Sequence, residues 1–124
     1  MKIEVSDGEI LDKVSILMIK AERIKNEEKL KNVRKELQEL GDAYMSHINP
    51  TLLELFEELK KINVSLWDIE DKLRQKERNK LFDEEFIFLA RQVYFTNDQR
   101  STIKRKINEV TKSNIIEEKS YVEY

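Results

Sequence analysis

The chain has 124 residues, with two glycines, one proline and no cysteine, and 39% of its residues are charged against 40% hydrophobic. That length predicts one domain, 1–124, and so few breakers point to long helices instead of a turn-rich sandwich or a glycine-looped nucleotide fold. Absent cysteine excludes disulfides, thiolate nucleophiles and sulfur-ligated zinc, and 23 basic against 25 acidic residues leave a net charge of -2 that favours neither DNA nor an anionic membrane.

Residues 1–5 alternate in character and read as a short extended arm. Ser6-Asp7-Gly8-Glu9 has the spacing of a capping box, in which the Ser6 hydroxyl takes the amide of Glu9 and the Glu9 carboxylate reaches back to the amide of Ser6. Ile10, Val14, Leu17, Ala21 and Ile24 follow at helical spacing, widened by Leu11 and Met18, and predict a first helix over about 7–25. Asn26 with Glu27 and Glu28 opens a second helix, whose apolar line is Leu30, Val33, Leu37 and Leu40. Gly41 either caps it or lies within it, the helix then running through Ala43, Tyr44 and Ile48 to stop before Asn49-Pro50. Asn as a cap with Pro at the first helical position starts a third helix, carried by Leu52, Leu55, Phe56, Leu59, Ile62, Leu66, Ile69 and Leu73. Its stripe fades in the polar run from Arg74 to Lys80. Asp83, with Glu84 and Glu85 behind it, caps a fourth helix that extends to about residue 112. At roughly 1.5 Å per residue each of the last two helices spans about 40 Å. Residues 115–124 form a tail with Ile115, Ile116, Tyr121, Val122 and Tyr124, too apolar for a free end and therefore expected to dock in part. The predicted fold is all-α, an antiparallel bundle of about four helices with a short extended N-terminal arm and a partly docked C-terminal tail. No run is apolar enough for a membrane span and the opening residues do not read as a signal peptide, so a cytoplasmic protein is expected.

The fourth stripe is interrupted. Between Val93 and Ile103 the core-facing positions are Thr96, Asn97 and Arg100, and Tyr94, Asn97, Ser101 and Lys104 follow one another at helical steps. Asn63, Trp67, Glu70 and Asp71 run along one edge of the third helix, and Asp12 and Lys13 along the first. Two readings fit. In one, these residues form a polar pocket between helices: Asp12, Glu70 and Asp71 as carboxylates, Arg100 and Lys104 as anion holders, and Trp67 and Tyr94 as a ring platform for a phosphorylated or ring-containing ligand. In the other they are a salt-bridge network that sets helix register. Glu9-x-x-Asp12 and Asp68-x-x-Asp71 have steps compatible with magnesium, although the ordered four-residue pairs of helical pyrophosphohydrolases are missing. No resident cofactor or metal is expected. Arg100, Lys104, Arg105, Lys106 and Lys112 make one helix end basic, but without interleaved aromatics they argue against nucleic-acid binding. His47, the one histidine, sits beside a helix break and reads as a turn residue.

Gly8-Glu9-Ile10-Leu11-Asp12-Lys13, Leu66-Trp67-Asp68-Ile69-Glu70-Asp71, Leu89-Ala90-Arg91 with Val93-Tyr94, Thr96-Asn97-Asp98 with Arg100, Lys104-Arg105 and Glu117-Glu118-Lys119-Ser120-Tyr121 together resemble an uncharacterised family of short bacterial and phage proteins. Its members are grouped as a domain of unknown function and described beside genes for surface-polysaccharide assembly. The resemblance implies one independent helical domain with a recurrent polar set, and no reaction. Two functions follow as expectations: a non-catalytic module that binds another protein or a second copy, with Phe88 and Phe95 on a contact face, or a small-molecule protein or enzyme acting on a phosphorylated or nucleotide-linked substrate.

Overall fold

The computed structural model describes residues 1–124, the side chain of Ala43 excepted. Four helices make up the fold among the described residues: α1 Asp7–Arg23, α2 Glu27–Met45, α3 Pro50–Arg78 and α4 Glu84–Thr111. Each begins where a short polar side chain offers an oxygen to an amide that has no partner inside the helix. Ser6 accepts from the amide of Glu9 at 3.2 Å, Asn26 from Lys29 at 3.0 Å, Asn49 from Leu52 at 2.9 Å and Asp83 from Phe86 at 2.9 Å.

The helix ends depart from the expected pattern. Gly41 does not cap α2, which continues through it to Met45, and α1 stops at Arg23 because Ile24 is extended, with φ -75° and ψ 132°. The left-handed residues that close α3 and α4 are both lysines, Lys80 at φ 53° and Lys112 at φ 56°. At the first, the Leu81 amide reaches the Lys76 carbonyl at 2.9 Å and the Lys80 amide the Glu77 carbonyl at 3.1 Å. At the second, Ser113 reaches Asn108 at 2.8 Å and Lys112 reaches Glu109 at 3.4 Å. Those bonds satisfy carbonyls that the helix leaves open, and they hold a lysine where glycine is usual.

α1 is the central element, packed against α2, α3 and α4, while α3 and α4 form a long antiparallel hairpin. Leu11, Val14, Leu52, Phe56, Leu59, Ile103 and Ile107 make the core between α1, α3 and α4. Full burial of a leucine or isoleucine contributes roughly 1.5–3 kcal/mol, so these side chains hold the three helices together. α2 closes the other side of α1 with Leu30 and Val33 buried and Leu37, Leu40 and Tyr44 against the core. Burial, then the charge and hydrogen bond of Asp7, push the Tyr44 hydroxyl pKa up, which places the end of α2 beside the start of α1. No helix among the described residues is long and apolar enough to cross a membrane.

The start of α1 lies directly on α4. A Cβ at Gly8 would stand 2.6 Å from the Lys104 carbonyl oxygen, a backbone atom that cannot rotate aside, so glycine is required here by close approach. The proximity lets α4 cap α1: the Gly8 amide donates to Asn108 Oδ1 at 2.7 Å and the Asp7 amide to Ser113 Oγ at 3.1 Å. The arm and the tail meet where Asn114 donates to Glu4 at 3.0 Å.

A non-glycine residue held in the left-handed region costs about 1 kcal/mol. Lys80→Gly is therefore expected to raise unfolding stability by about that amount, measured by urea denaturation with an unchanged slope; no gain would show that the Lys80 side chain offsets the backbone cost.

Candidate functional site

Asp12 points from the middle of α1 into the junction with α3 and α4 and is 1% exposed. A carboxylate taken out of water must be paired, and three side chains converge on it. Arg100 of α4 holds it through both ends of the guanidinium fork, Nε to Oδ1 at 3.0 Å and Nη2 to Oδ2. Asn63 of α3 donates from Nδ2 to Oδ1 at 2.9 Å and to the Ser15 hydroxyl at 2.7 Å, and Ser15 passes its own proton to the Asp12 carbonyl at 2.7 Å. Lys104 Nζ lies 3.7 Å from the other carboxylate oxygen. The hydrogen bonds that Arg100 donates to Asp12, against the opposing effect of burial, keep its pKa above the ordinary value. No buried side-chain nitrogen or oxygen among the described residues lacks a partner.

Lys104 links this centre to both chain ends. Its ammonium donates to Glu9 at 2.7 Å and to Glu117 of the tail at 3.1 Å. Burial alone would lower the Lys104 pKa; the hydrogen bonds to Glu9 and Glu117 outweigh it and raise it. Lys104 in turn holds the Glu117 carboxyl below the usual glutamate range. The Glu9 carboxylate is thus committed to α4, whereas the capping-box reading turned it back on the Ser6 amide. Beside it Arg105 takes Glu118 at 3.0 Å. Two cations of the basic helix end are therefore neutralised by the tail, and Arg100 by Asp12.

Trp67, Glu70, Asp71, Asn97 and Arg100 come together. They line one open cavity of about 490 Å³ between α1, α3 and α4, floored by Ile16, Ile19 and Leu66 and joined by Asn63 and Arg74. Arg100 donates from Nη1 to Asn97 at 3.4 Å, and the Arg23 guanidinium lies 6.0 Å from the Trp67 ring centre. Asp12 sits behind Arg100 and is not part of the wall. The other expected residues lie elsewhere: Lys13 points to α2, 3.8 Å from Glu36; Lys104 faces the tail; and Tyr94 stands on the far side of α4, with Phe95 and Tyr124. Glu9-x-x-Asp12 and Asp68-x-x-Asp71 do not join, since Glu9, Asp12 and Asp68 are spent on Lys104, Arg100 and Arg23. No group of three or more metal-ligating side chains with room for an ion occurs among the described residues. His47 lies in the turn after α2, 3.0 Å from the Ser46 hydroxyl.

Asn63, read on the edge of the third helix, joins the network as a partner of Asp12, and Ser15 and Asn108 complete it without having been singled out in the sequence. Asn108 carried a signal, as an amide beside the apolar Ile107. Ser15 carried none, because a serine on a helix is unremarkable until its neighbours are known.

The chain belongs to the family of unknown function DUF6165, which matches residues 1–123. No curated protein matches it significantly, and no solved structure does.

Removing one partner of a buried pair costs more when the group left behind has no other partner. Asp12→Ala takes a partner from Arg100, Lys104 and Asn63 at once and leaves Arg100 only the 3.4 Å contact to Asn97, although Lys104 keeps Glu9 and Glu117 and Asn63 keeps Ser15. It is expected to destabilise the fold by about 3 kcal/mol. Arg100→Ala leaves Asp12 with Asn63 and Lys104 and should cost about half as much. Equal losses in denaturant titrations would contradict this ordering.

Proposed function

We propose that this protein is a non-catalytic helical module that works by binding a protein surface, and that the contact is made by the far end of the α3–α4 hairpin. The observation that carries this reading is the exposure there of Leu81, Phe82, Ile87 and Phe88, each half or more open to solvent. α1 reaches α3 at Asp68 through Arg23, and α4 at Arg100 through Asp12. Past those points the hairpin is held by its own contacts: Lys76 to Asp83 at 2.9 Å and Glu85 at 3.5 Å, the Phe82 and Phe86 rings 5.2 Å apart, and Leu89 buried between the helices. A projecting pair of helices with an apolar tip gains by covering it.

A second copy suits this tip. Arg78 and Lys80 on one side, and Glu84 on the other, are charges without an ion-pair partner in the chain among the described residues. A two-fold contact sets the patch against itself and brings the cations of one copy to the Glu84 of the other. Of the two aromatic residues expected on a contact face, Phe88 is open, whereas Phe95 is half-buried beside Tyr124. Light scattering at low salt is expected to give twice the mass of one chain. Phe88→Asp should return it to one chain with an unchanged circular dichroism spectrum, and a monomer for the unaltered protein at all concentrations would refute the self-contact.

The open cavity at Trp67 supports a second reading, a small-molecule site, because five residues of the expected set line it. Arg100 is already matched by Asp12 and Arg74 lies 3.9 Å from Glu70, so an anionic ligand would have to compete for both cations. A phosphorylated or nucleotide-linked ligand, a sugar nucleotide included, held here at one hundred times its dissociation constant would add about 2.7 kcal/mol of stability. A thermal-shift screen with nucleotides, sugar nucleotides and magnesium that leaves the melting temperature unmoved removes this reading.

A further inference from the structure

The C-terminal segment is tied along α4 by groups of different kinds. Glu117 and Glu118 take Lys104 and Arg105, and further along the Tyr124 hydroxyl donates to Asp98 while its ring meets Phe95 at 4.8 Å and Tyr94 at 5.3 Å. Between these ties the segment does not close on the helix. A groove of about 950 Å³ remains, walled by Tyr94 and Asp98 of α4 and by Lys119, Tyr121, Glu123 and Tyr124 of the segment.

Three tyrosine rings line this groove and stay open to solvent, Tyr94 at 42%, Tyr121 at 71% and Tyr124 at 72%. Two carboxylates accompany them. The cation of the lining, Lys119, pairs with Glu117 at 3.4 Å while lying over the Tyr121 ring. Negative ring faces beside carboxylates attract positive charge, and a cation with alkyl substituents loses less hydration on entering than a bare ammonium. The chain's own cations already use this aromatic cluster: the Arg91 guanidinium lies 5.7 Å from the Phe95 ring centre, and the Lys119 ammonium 5.8 Å from that of Tyr121. Tyr94 and Tyr124 hold no such cation among the described residues. An anion would meet Asp98 and Glu123, and a purely apolar guest would strip water from both carboxylates without replacing it.

We infer that the groove between α4 and the C-terminal segment is a binding site for a small organic cation, an alkylated ammonium held by the tyrosine rings with Asp98 and Glu123 as counter-charges. The site lies apart from the hairpin tip and shares with the Trp67 cavity the single residue Asn97, and it stands whether or not the chain self-associates. The test is titration of the full chain with choline, followed by the ring resonances of its tyrosines and by the indole resonance of Trp67, its one tryptophan. The neutral isostere 3,3-dimethyl-1-butanol is the control, since it has the same shape without the charge. Choline is expected to shift Tyr94, Tyr121 and Tyr124 saturably and to leave Trp67 unmoved. The isostere should bind about tenfold more weakly, and Tyr121→Leu or Glu123→Gln should each weaken choline about threefold. Both replaced side chains are exposed and outside the helices, so the fold remains intact. Equal response to the isostere, shifts confined to Trp67, or no saturable shift of the tyrosines would each overturn the inference.

Discussion

A carboxylate buried at the meeting point of three helices governs the arrangement of this protein. Asp12 cannot stay charged in that position without partners, and those partners come from separate elements: Asn63 from α3, Arg100 and Lys104 from α4. The pairing fixes register in a way that apolar packing does not. Leucines and isoleucines tolerate sliding by trading one contact for another, but a one-residue slip of α4 would carry Arg100 off the buried Asp12 carboxylate and leave that charge without its main partner. Hydrophobic burial supplies most of the cohesion, and the ionic centre joins α1, α3 and α4 at one point.

The same centre explains why the two ends of the chain belong to the fold. Lys104 is shared among Asp12, Glu9 and Glu117, so the charge that orders the interior also fastens the tail. At the neighbouring helix end Asn108 and Ser113 take amides of the first turn of α1. Gly8 permits the approach that these bonds need. A terminal segment fastened by ion pairs and one ring cluster is held by weaker, more separable contacts than the apolar core, and it leaves a groove where a cemented helix would leave none.

The groups left uncovered by the fold lie at the margins of this network and outside its centre. Arg100 and Lys104, which look like anion holders when read along the helix, are neutralised within the fold. The surfaces left with unsatisfied character are the apolar hairpin tip, the cavity beside Trp67 and the tyrosine-lined groove under the tail. Each leaves a different kind of group uncovered: aliphatic and phenyl surface at the tip, mixed charge at the cavity, and ring faces with carboxylates in the groove.

Much of the architecture was legible in one dimension. The four caps Ser6, Asn26, Asn49 and Asp83 and the four apolar stripes follow from local hydrogen-bonding chemistry and from helical periodicity, both of which a linear string carries. The tail docks as its apolar residues suggested, but Ile115, Ile116, Tyr121 and Val122 stay exposed, and it is held by Glu117, Glu118 and the Tyr124 ring. The polar interruption at Thr96, Asn97 and Arg100 was legible too, as a place where buried polar groups would need partners. What they pair with was not. Glu9 turns to Lys104 and away from its own helix end, and Lys13 and Tyr94 leave the group they seemed to join, because such outcomes depend on which distant surface arrives alongside. Sequence alone determined the helices, their caps and the existence of a buried polar set, since those are set by neighbours a few residues away. Only the tertiary structure decided which charges cancel and which surfaces stay open, because both depend on distances between residues about a hundred positions apart, as between Gly8 and Asn108.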